Sequence, residues 1–73
     1  ASMIKKQGKT FYEGTVTDKE SLGLSGVVVS VEGKESGVIS NFNGVFSIQA
    51  EEGDVLEFQY VGLPDKIIRI PMN

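Results

Sequence analysis

The acidic residues Glu51, Glu52 and Asp54 form the tightest group of side chains in the sequence that could carry out chemistry. A pair of carboxylates hydrolyses glycosides when a cleft fixes their separation and burial raises the pKa of one of them. Here the acids share a short polar segment with Gly53, which is typical of an exposed turn. Because an exposed turn supplies neither a cleft nor burial, we expect no general acid–base pair at this position.

The segment 41–44, Asn-Phe-Asn-Gly, carries a second set of oxygen-bearing side chains. Asn41 and Asn43 could offer their amide oxygens to calcium, as acidic loops do with carboxylates. Neutral amides lack the negative charge that gives such loops their affinity. Asn followed by Gly is also the dipeptide that favours a tight hairpin. We therefore expect a hairpin turn at Asn43 and Gly44 rather than a metal site.

Several residue types on which catalysis depends are absent, because the sequence contains no His, no Cys and no Trp. This composition removes the commonest general base, thiolate nucleophiles, disulfides and the usual ligands of zinc and copper. The Ser and Thr hydroxyls have no base paired to them by a motif, and no glycine-rich phosphate loop is present. The composition favours a domain that is not an enzyme and holds no cofactor.

Two phenylalanines are candidates for binding rather than catalysis. Phe42 falls at the tip of the predicted turn, where an apolar ring is suited to contact a partner, or alternatively folds back onto the edge of the core. Phe11 has the wrong phase for the inward face of its strand, so it is either exposed or covers an edge. We take Phe42, Phe11, Asn41 and Asn43 as the possible partner contacts.

The length of 73 residues and the net charge of −3 describe one small acidic domain. Residues 1–10 hold three lysines and no acid, so we expect an N-terminal tail, partly left over from cloning, or an extra strand. Residues 11–73 form the predicted domain. Its acidic balance disfavours nucleic acid, and no run approaches the roughly 18 apolar residues that span a bilayer. We expect the basic start to be a solvated, flexible terminus, with a membrane surface or an acidic partner as the alternative contact.

Apolar residues alternate with a period of two, which predicts β-strands rather than helices. Six segments show this pattern, namely 11–17, 27–32, 37–40, 45–50, 55–61 and 66–72. The residues in the inward phase are Tyr12, Gly14, Val16, Val27, Val29, Val31, Phe46, Ile48, Ala50, Leu56, Phe58, Tyr60, Ile68, Ile70 and Met72. The pattern predicts an all-β fold, a small antiparallel sandwich or open barrel, and leaves its topology open.

Several segments follow one another in an order and spacing that resemble a known family. They are Gly14-Thr15-Val16-Thr17-Asp18, Leu24-Ser25-Gly26-Val27, Asn43-Gly44-Val45-Phe46-Ser47-Ile48 and Gly53-Asp54-Val55-Leu56-Glu57-Phe58. The sequence resembles the carboxypeptidase regulatory-like domain over about residues 12–72, in the variant found at the N-termini of TonB-dependent outer-membrane receptors. The resemblance implies a transthyretin-like (prealbumin-like) Greek-key β-sandwich of six to seven strands. Ser40-Asn41 stands where the family often has Thr-Asp, and Leu63 where it often has an aromatic residue.

The resemblance also implies a role, namely a non-catalytic accessory or protein-interaction module of the bacterial cell envelope. The implied partner is the rest of a larger envelope protein or a protein associated with it. A carbohydrate- or small-ligand-binding module that uses exposed aromatics is the alternative. Pairing of two copies through strand edges stays open. Lys66 and Arg69 on the last strand are typical of residues that discourage strand addition, with a basic partner-binding patch as the second interpretation.

Overall fold

Seven β-strands make up the regular structure of residues 1–72, which are the residues that the computed structural model describes. In chain order they are β1 (Ser2–Lys6), β2 (Lys9–Thr15), β3 (Val28–Val31), β4 (Gly37–Ile39), β5 (Val45–Gln49), β6 (Val55–Gln59) and β7 (Lys66–Arg69). One antiparallel sheet has the order β1-β2-β5, and the other has the order β4-β3-β6-β7. The predicted all-β antiparallel sandwich is confirmed, and residue 73 of the predicted domain lies outside the described residues.

The core lies between the two sheets and is built from the alternating residues of the central strands. Its buried members are Val27, Val29, Val31, Phe46, Ile48, Ala50, Leu56 and Ile70, all of which have the predicted inward phase. Phe46 joins the sheets, since its ring lies 5.5 Å from that of Phe58 in an edge-to-face arrangement and 6.2 Å from that of Tyr12. Such aromatic pairs add to the free energy gained by burying apolar surface.

The N-terminal segment forms a strand, although its charge led us to expect a solvated, flexible terminus. β1 pairs with β2 through a two-residue turn at Gln7 and Gly8, whose φ angles of 50° and 79° are both positive. Turns of this kind match the twist of the flanking strands. Met3 packs against the core from β1. For Ser2–Lys6 the structure therefore has the extra strand that was the alternative to a flexible terminus, because a tight turn pairs this segment with β2 and Met3 contacts the core.

Strands β6 and β7 end earlier than predicted, and two residues expected in the core are exposed. Tyr60 is 36% exposed because it begins a turn in which the Leu63 N–H donates to its carbonyl oxygen at 3.1 Å. Met72 is 74% exposed because Pro71, which cannot donate to a ladder, comes between it and the last buried residue. The core assignments of Tyr60 and Met72 are therefore wrong, whereas Tyr12 packs against the core as predicted.

The two sheets are closest along one side of the sandwich, where β5 contacts β3 and β4. On the other side a cleft of about 440 Å³ lies between β2 and the strands β6 and β7. We call the side of the sandwich bounded by the edge strands β1 and β7 the open side. Within residues 1–72 there is no helix long and apolar enough to cross a membrane.

Candidate functional site

The strand registers bring three connections together at one end of the sandwich. Thr15 at the end of β2 pairs with Val45 at the start of β5. Val28 at the start of β3 pairs with both Ile39 and Gln59, the last residues of β4 and β6. The connections 16–27, 40–44 and 60–65 therefore emerge side by side, and we call this part of the molecule the loop end.

The connection 40–44 contains a tight turn that Asn41 organises. The Asn41 Oδ1 accepts the backbone N–H groups of Asn43 and Val45 at 2.9 and 3.0 Å. The Asn41 carbonyl oxygen accepts the Gly44 N–H at 2.9 Å. Because the side-chain oxygen of Asn41 already accepts two backbone donors, the turn itself accounts for this residue. The calcium alternative therefore finds no support in its geometry.

The predicted turn at Asn43 and Gly44 is present, but the hairpin prediction is wrong. The turn joins β4 in one sheet to β5 in the other, so the flanking strands do not pair with each other. Instead the Gly44 carbonyl oxygen accepts the Val16 N–H at 2.8 Å, and the Val16 carbonyl oxygen accepts the Leu24 N–H at 2.9 Å. These bonds hold the turn against the neighbouring connection 16–27.

A buried hydroxyl fixes the base of the same turn. Ser40 is buried, and its Oγ accepts the Val27 N–H at 2.9 Å and donates to the Leu24 carbonyl oxygen at 2.6 Å. A buried backbone donor that lost such a partner would incur a desolvation cost of about 1–3 kcal/mol. Ser40 therefore anchors the start of the turn to two points of the connection 16–27.

Phe42 is presented to solvent by this braced turn. Its side chain is 89% exposed, so the ring does not fold back onto the edge of the sandwich. The backbone on both sides of Phe42 is held by the hydrogen bonds of Asn41. A large apolar side chain on an ordered turn loses little conformational entropy when a partner covers it, which makes such a position effective in binding.

The other two connections at the loop end also expose apolar residues, and neither was identified from the sequence. Leu22 is exposed in a turn whose Asp18 carboxylate accepts the N–H groups of Glu20 and Leu22. Val61 is 93% exposed in the turn between β6 and β7. The available signal was an apolar residue inside a segment rich in Gly and polar residues, but Val61 was assigned to a strand. Leu22, Phe42 and Val61 together form the apolar tips of the loop end.

Phe11 lies away from the loop end. It pairs with Gln49, which is at the opposite end of β5 from the turn that carries Phe42. The side chain is half-buried, and the Lys6 ammonium lies 5.8 Å from the centre of its ring. The structure therefore does not bring Phe11 together with Phe42.

The acidic turn at residues 51–54 has a structural arrangement of its own. The Asp54 carboxylate accepts the Glu51 N–H at 2.8 Å and lies 3.9 Å from the Lys34 ammonium. The Arg69 guanidinium donates to the Gly53 carbonyl oxygen at 2.8 Å. Among the described residues, no group of three or more His, Cys, Asp or Glu side chains is arranged to hold a metal ion.

The Glu13 carboxylate lies on the outer face of the three-stranded sheet and has two side-chain hydrogen-bond partners. It accepts a hydrogen bond from the Ser47 hydroxyl at 2.7 Å and one from the Lys6 ammonium at 3.1 Å. These bonds, first that of Ser47 and then that of Lys6, lower the pKa of Glu13 below its ordinary value of 4.5. The network ties β1, β2 and β5 together.

The lowered pKa predicts how the protein responds to acid. A carboxylate with a lowered pKa in the folded state stabilises the fold above its ordinary pKa, and this contribution is lost as the pH falls through the folded value. Glu13→Gln should therefore lower stability at pH 7 and cause a smaller loss at pH 3. Urea unfolding of both proteins at the two pH values measures this. An equal difference at pH 7 and pH 3 would contradict the role assigned to the charged carboxylate.

The cleft on the open side is a second concave surface. Its walls combine Tyr12, Phe46, Phe58 and Ile68 from the two sheets with residues of the connections 16–27 and 60–65, among them Leu24 and Leu63. Among residues 1–72, Lys66 is the one charged side chain that lines the cleft, and Tyr60, which directly follows β6, lines it as well. Nothing in the alternation of the strands indicated this cleft, because the divergence of two sheets is a property of their packing.

Sequence comparison places these features in a known class of domains. The chain belongs to the CarboxypepD_reg-like domain family, whose model matches residues 12–73. The resemblance inferred from the sequence motifs is thereby confirmed. The family is a regulatory-like domain that also occurs in TonB-dependent receptors.

Two relatives come from Formosa agariphila. The chain is 37% identical over 60 residues to the TonB-dependent receptor P26, a match that covers 82% of the chain and 6% of the receptor. It is 35% identical over 69 residues to the TonB-dependent receptor P3, which covers 92% of the chain and 7% of that receptor. The matched region thus spans well under a tenth of the length of either relative. No solved structure matches the chain significantly.

Proposed function

We propose that the chain acts as a non-catalytic accessory domain of a TonB-dependent receptor in the bacterial cell envelope. The observation that carries the proposal is the relation to the two receptors, which match 82% and 92% of the chain with less than a tenth of their own length. A domain of this kind works through what it is attached to, so its partners are the rest of the receptor or a protein associated with it.

The loop end is the surface we assign to this interaction. Its exposed tips Leu22, Phe42 and Val61 stand on turns that hydrogen bonds keep in shape. Large apolar side chains on ordered backbone are the residues that contribute most to protein–protein binding. Five of the ten acidic residues lie in the turns at the opposite end and three in the connections of the loop end, so the loop end carries fewer acids.

Deletion of the domain from a receptor that carries it tests the accessory role. Without the counterpart of residues 12–72, the receptor should still assemble in the outer membrane and bind its ligand at the cell surface. Energised uptake of the ligand should fall about tenfold, which corresponds to about 1.4 kcal/mol of lost coupling. Receptor abundance in isolated membranes is the control. Uptake that stays at the level of the intact receptor would overturn the proposal.

The cleft supports a second candidate, a carbohydrate- or small-ligand-binding module. Its walls include the rings of Tyr12, Phe46, Phe58 and Tyr60, and clefts lined by aromatic residues are common sites for small ligands. Calorimetric titration with a panel of neutral oligosaccharides separates the two candidates. Heat that disappears with Tyr60→Ala and persists with Phe42→Ala would favour the ligand-binding module, whereas no heat across the panel would eliminate it.

A further inference from the structure

Strand β7 presents unpaired backbone groups at the edge of the four-stranded sheet. The Glu32 N–H donates to the Val55 carbonyl oxygen, so Val55 points its backbone groups toward β3. The Ile70 N–H donates to the Asp54 carbonyl oxygen, which turns Ile70 toward β6. Because these groups alternate along an antiparallel ladder, those of Ile67 and Arg69 point away from β6. No strand of the described residues 1–72 pairs with this edge.

The two edge strands on the open side are both basic. β1 carries Lys5 and Lys6, and β7 carries Lys66 and Arg69, whereas neither strand contains an acidic residue. The open side is therefore basic, although the chain as a whole has ten acidic residues and a net charge of −3. Two copies that paired through these edges would place like charges opposite one another, which is destabilising. The charge pattern therefore disfavours self-pairing here and favours an acidic partner.

The cleft lies directly beneath this edge. On β7 the inner-phase residue Ile68 faces the cleft together with Phe58 of β6, and Lys66 lines its rim. A strand added beside β7 would continue this alternation, with every second side chain directed into the cleft. Apolar side chains at those positions would cover half-buried core surface beside Lys66, and acidic side chains at the others would lie on the outer face of the sheet, beside Arg69.

We propose that the open side binds an extended, acidic protein segment, which adds as a strand to β7 and places alternate apolar side chains in the cleft. Recognition by strand addition combines backbone hydrogen bonds for affinity with side-chain pockets for specificity. The cleft borders the loop end through the connections 16–27 and 60–65, but neither the cleft nor the edge of β7 includes the tips Leu22, Phe42 and Val61. The inference therefore goes beyond the function proposed above and does not depend on Phe42.

The test is titration of the labelled chain with a capped eight-residue peptide that alternates Glu and Val, followed by NMR. Binding should slow hydrogen exchange at the Ile67 and Arg69 amides, which face the free edge. The Ile68 and Ile70 amides, already paired with β6, should change much less. A peptide that alternates Lys and Val is the matched control and should not bind. Protection at the Met3 and Lys5 amides of β1 instead would overturn the assignment to β7.

Variants of the edge strand separate charge from backbone pairing. The double variant Lys66→Glu with Arg69→Glu should weaken the Glu–Val peptide about tenfold, because attraction becomes repulsion. Ile67→Pro removes an outward N–H that β6 does not use and should abolish the protection, whereas Ile67→Val should bind normally. If Ile67→Pro unfolds, the charge variant alone decides. Phe42→Ala should leave the affinity unchanged, so failure of this peptide to bind at millimolar concentration overturns this inference without affecting the proposed role of the loop end.

Discussion

Replacing Phe46 with Ala is expected to cost about 4 kcal/mol of folding free energy, within the range measured for large aromatic side chains in cores. Phe46 is only 5% exposed and its ring contacts those of Tyr12 and Phe58, so it links the two sheets beside the cleft. The free energy of unfolding of a small domain lies near the lower limit of the usual range, at about 5 kcal/mol. Chemical denaturation of Phe46→Ala should therefore show a protein close to unfolding in the absence of denaturant.

Phe42→Ala is the matched control, because it removes the same side chain from the loop end. With the ring 89% exposed, the free energy of unfolding should change by no more than about 0.5 kcal/mol. Equal losses for the two variants would contradict the assignment of Phe46 to the core and Phe42 to the surface. The comparison also establishes that Phe42 can be altered in binding experiments without disturbing the fold.

Gly44→Val should have the next largest effect, with a loss of about 3 kcal/mol from strain and overpacking together. Gly44 has a φ of +83°, a conformation that side-chain-bearing residues rarely adopt. A Cβ atom at this position would also collide with the backbone of Val16, Gly23 and Leu24. The variant should lower the midpoint of thermal unfolding and displace the turn that presents Phe42.

Gly33→Val separates the two causes. Gly33 has a φ of +86°, yet a Cβ atom there would meet no heavy atom within 4 Å. It should therefore show the backbone strain alone and lose about 2 kcal/mol less than Gly44→Val. Equal losses of stability for the two variants would contradict the contribution that we assign to the close packing of the turn against the connection 16–27.

The central strands were predictable from the sequence because their residues satisfy local and tertiary requirements at the same time. The valines at positions 27, 29 and 31 alternate with exposed residues, and β-branched side chains favour the pleated backbone. Phe46, Ile48 and Leu56 likewise fall on the predicted inner faces. Where one face of a strand must be buried, a period of two specifies both the strand and its orientation.

The ends of the strands were less predictable, since pairing partners decide where a strand stops. Tyr60 continues the alternation of β6 but begins a turn, and Met72 continues that of β7 beyond Pro71. The β1–β2 hairpin was not identified because its turn is Gln7-Gly8 rather than the stronger Asn-Gly signal. The Asn43-Gly44 signal was correct for a turn, but only the assignment of β4 and β5 to different sheets shows that no hairpin forms.

Of the three exposed apolar residues that form the candidate site at the loop end, only one could be predicted from the sequence. Phe42 could be singled out because it lies between two turn-forming asparagines, where an apolar ring has no role in the turn. Leu22 and Val61 become neighbours of that turn only through the registers of β2, β3 and β6, which link residues far apart in the chain. The cleft depends on the divergence of the sheets, which no single strand encodes.

The central claim, that the loop end is the docking surface of a receptor domain, is tested most directly by uptake in cells whose receptor carries Phe42→Glu. The control is Met72→Glu, a change to another exposed apolar residue at the opposite end of the sandwich. We predict about tenfold slower ligand uptake with Phe42→Glu and normal uptake with Met72→Glu, at equal receptor abundance. Normal uptake with Phe42→Glu would contradict the claim.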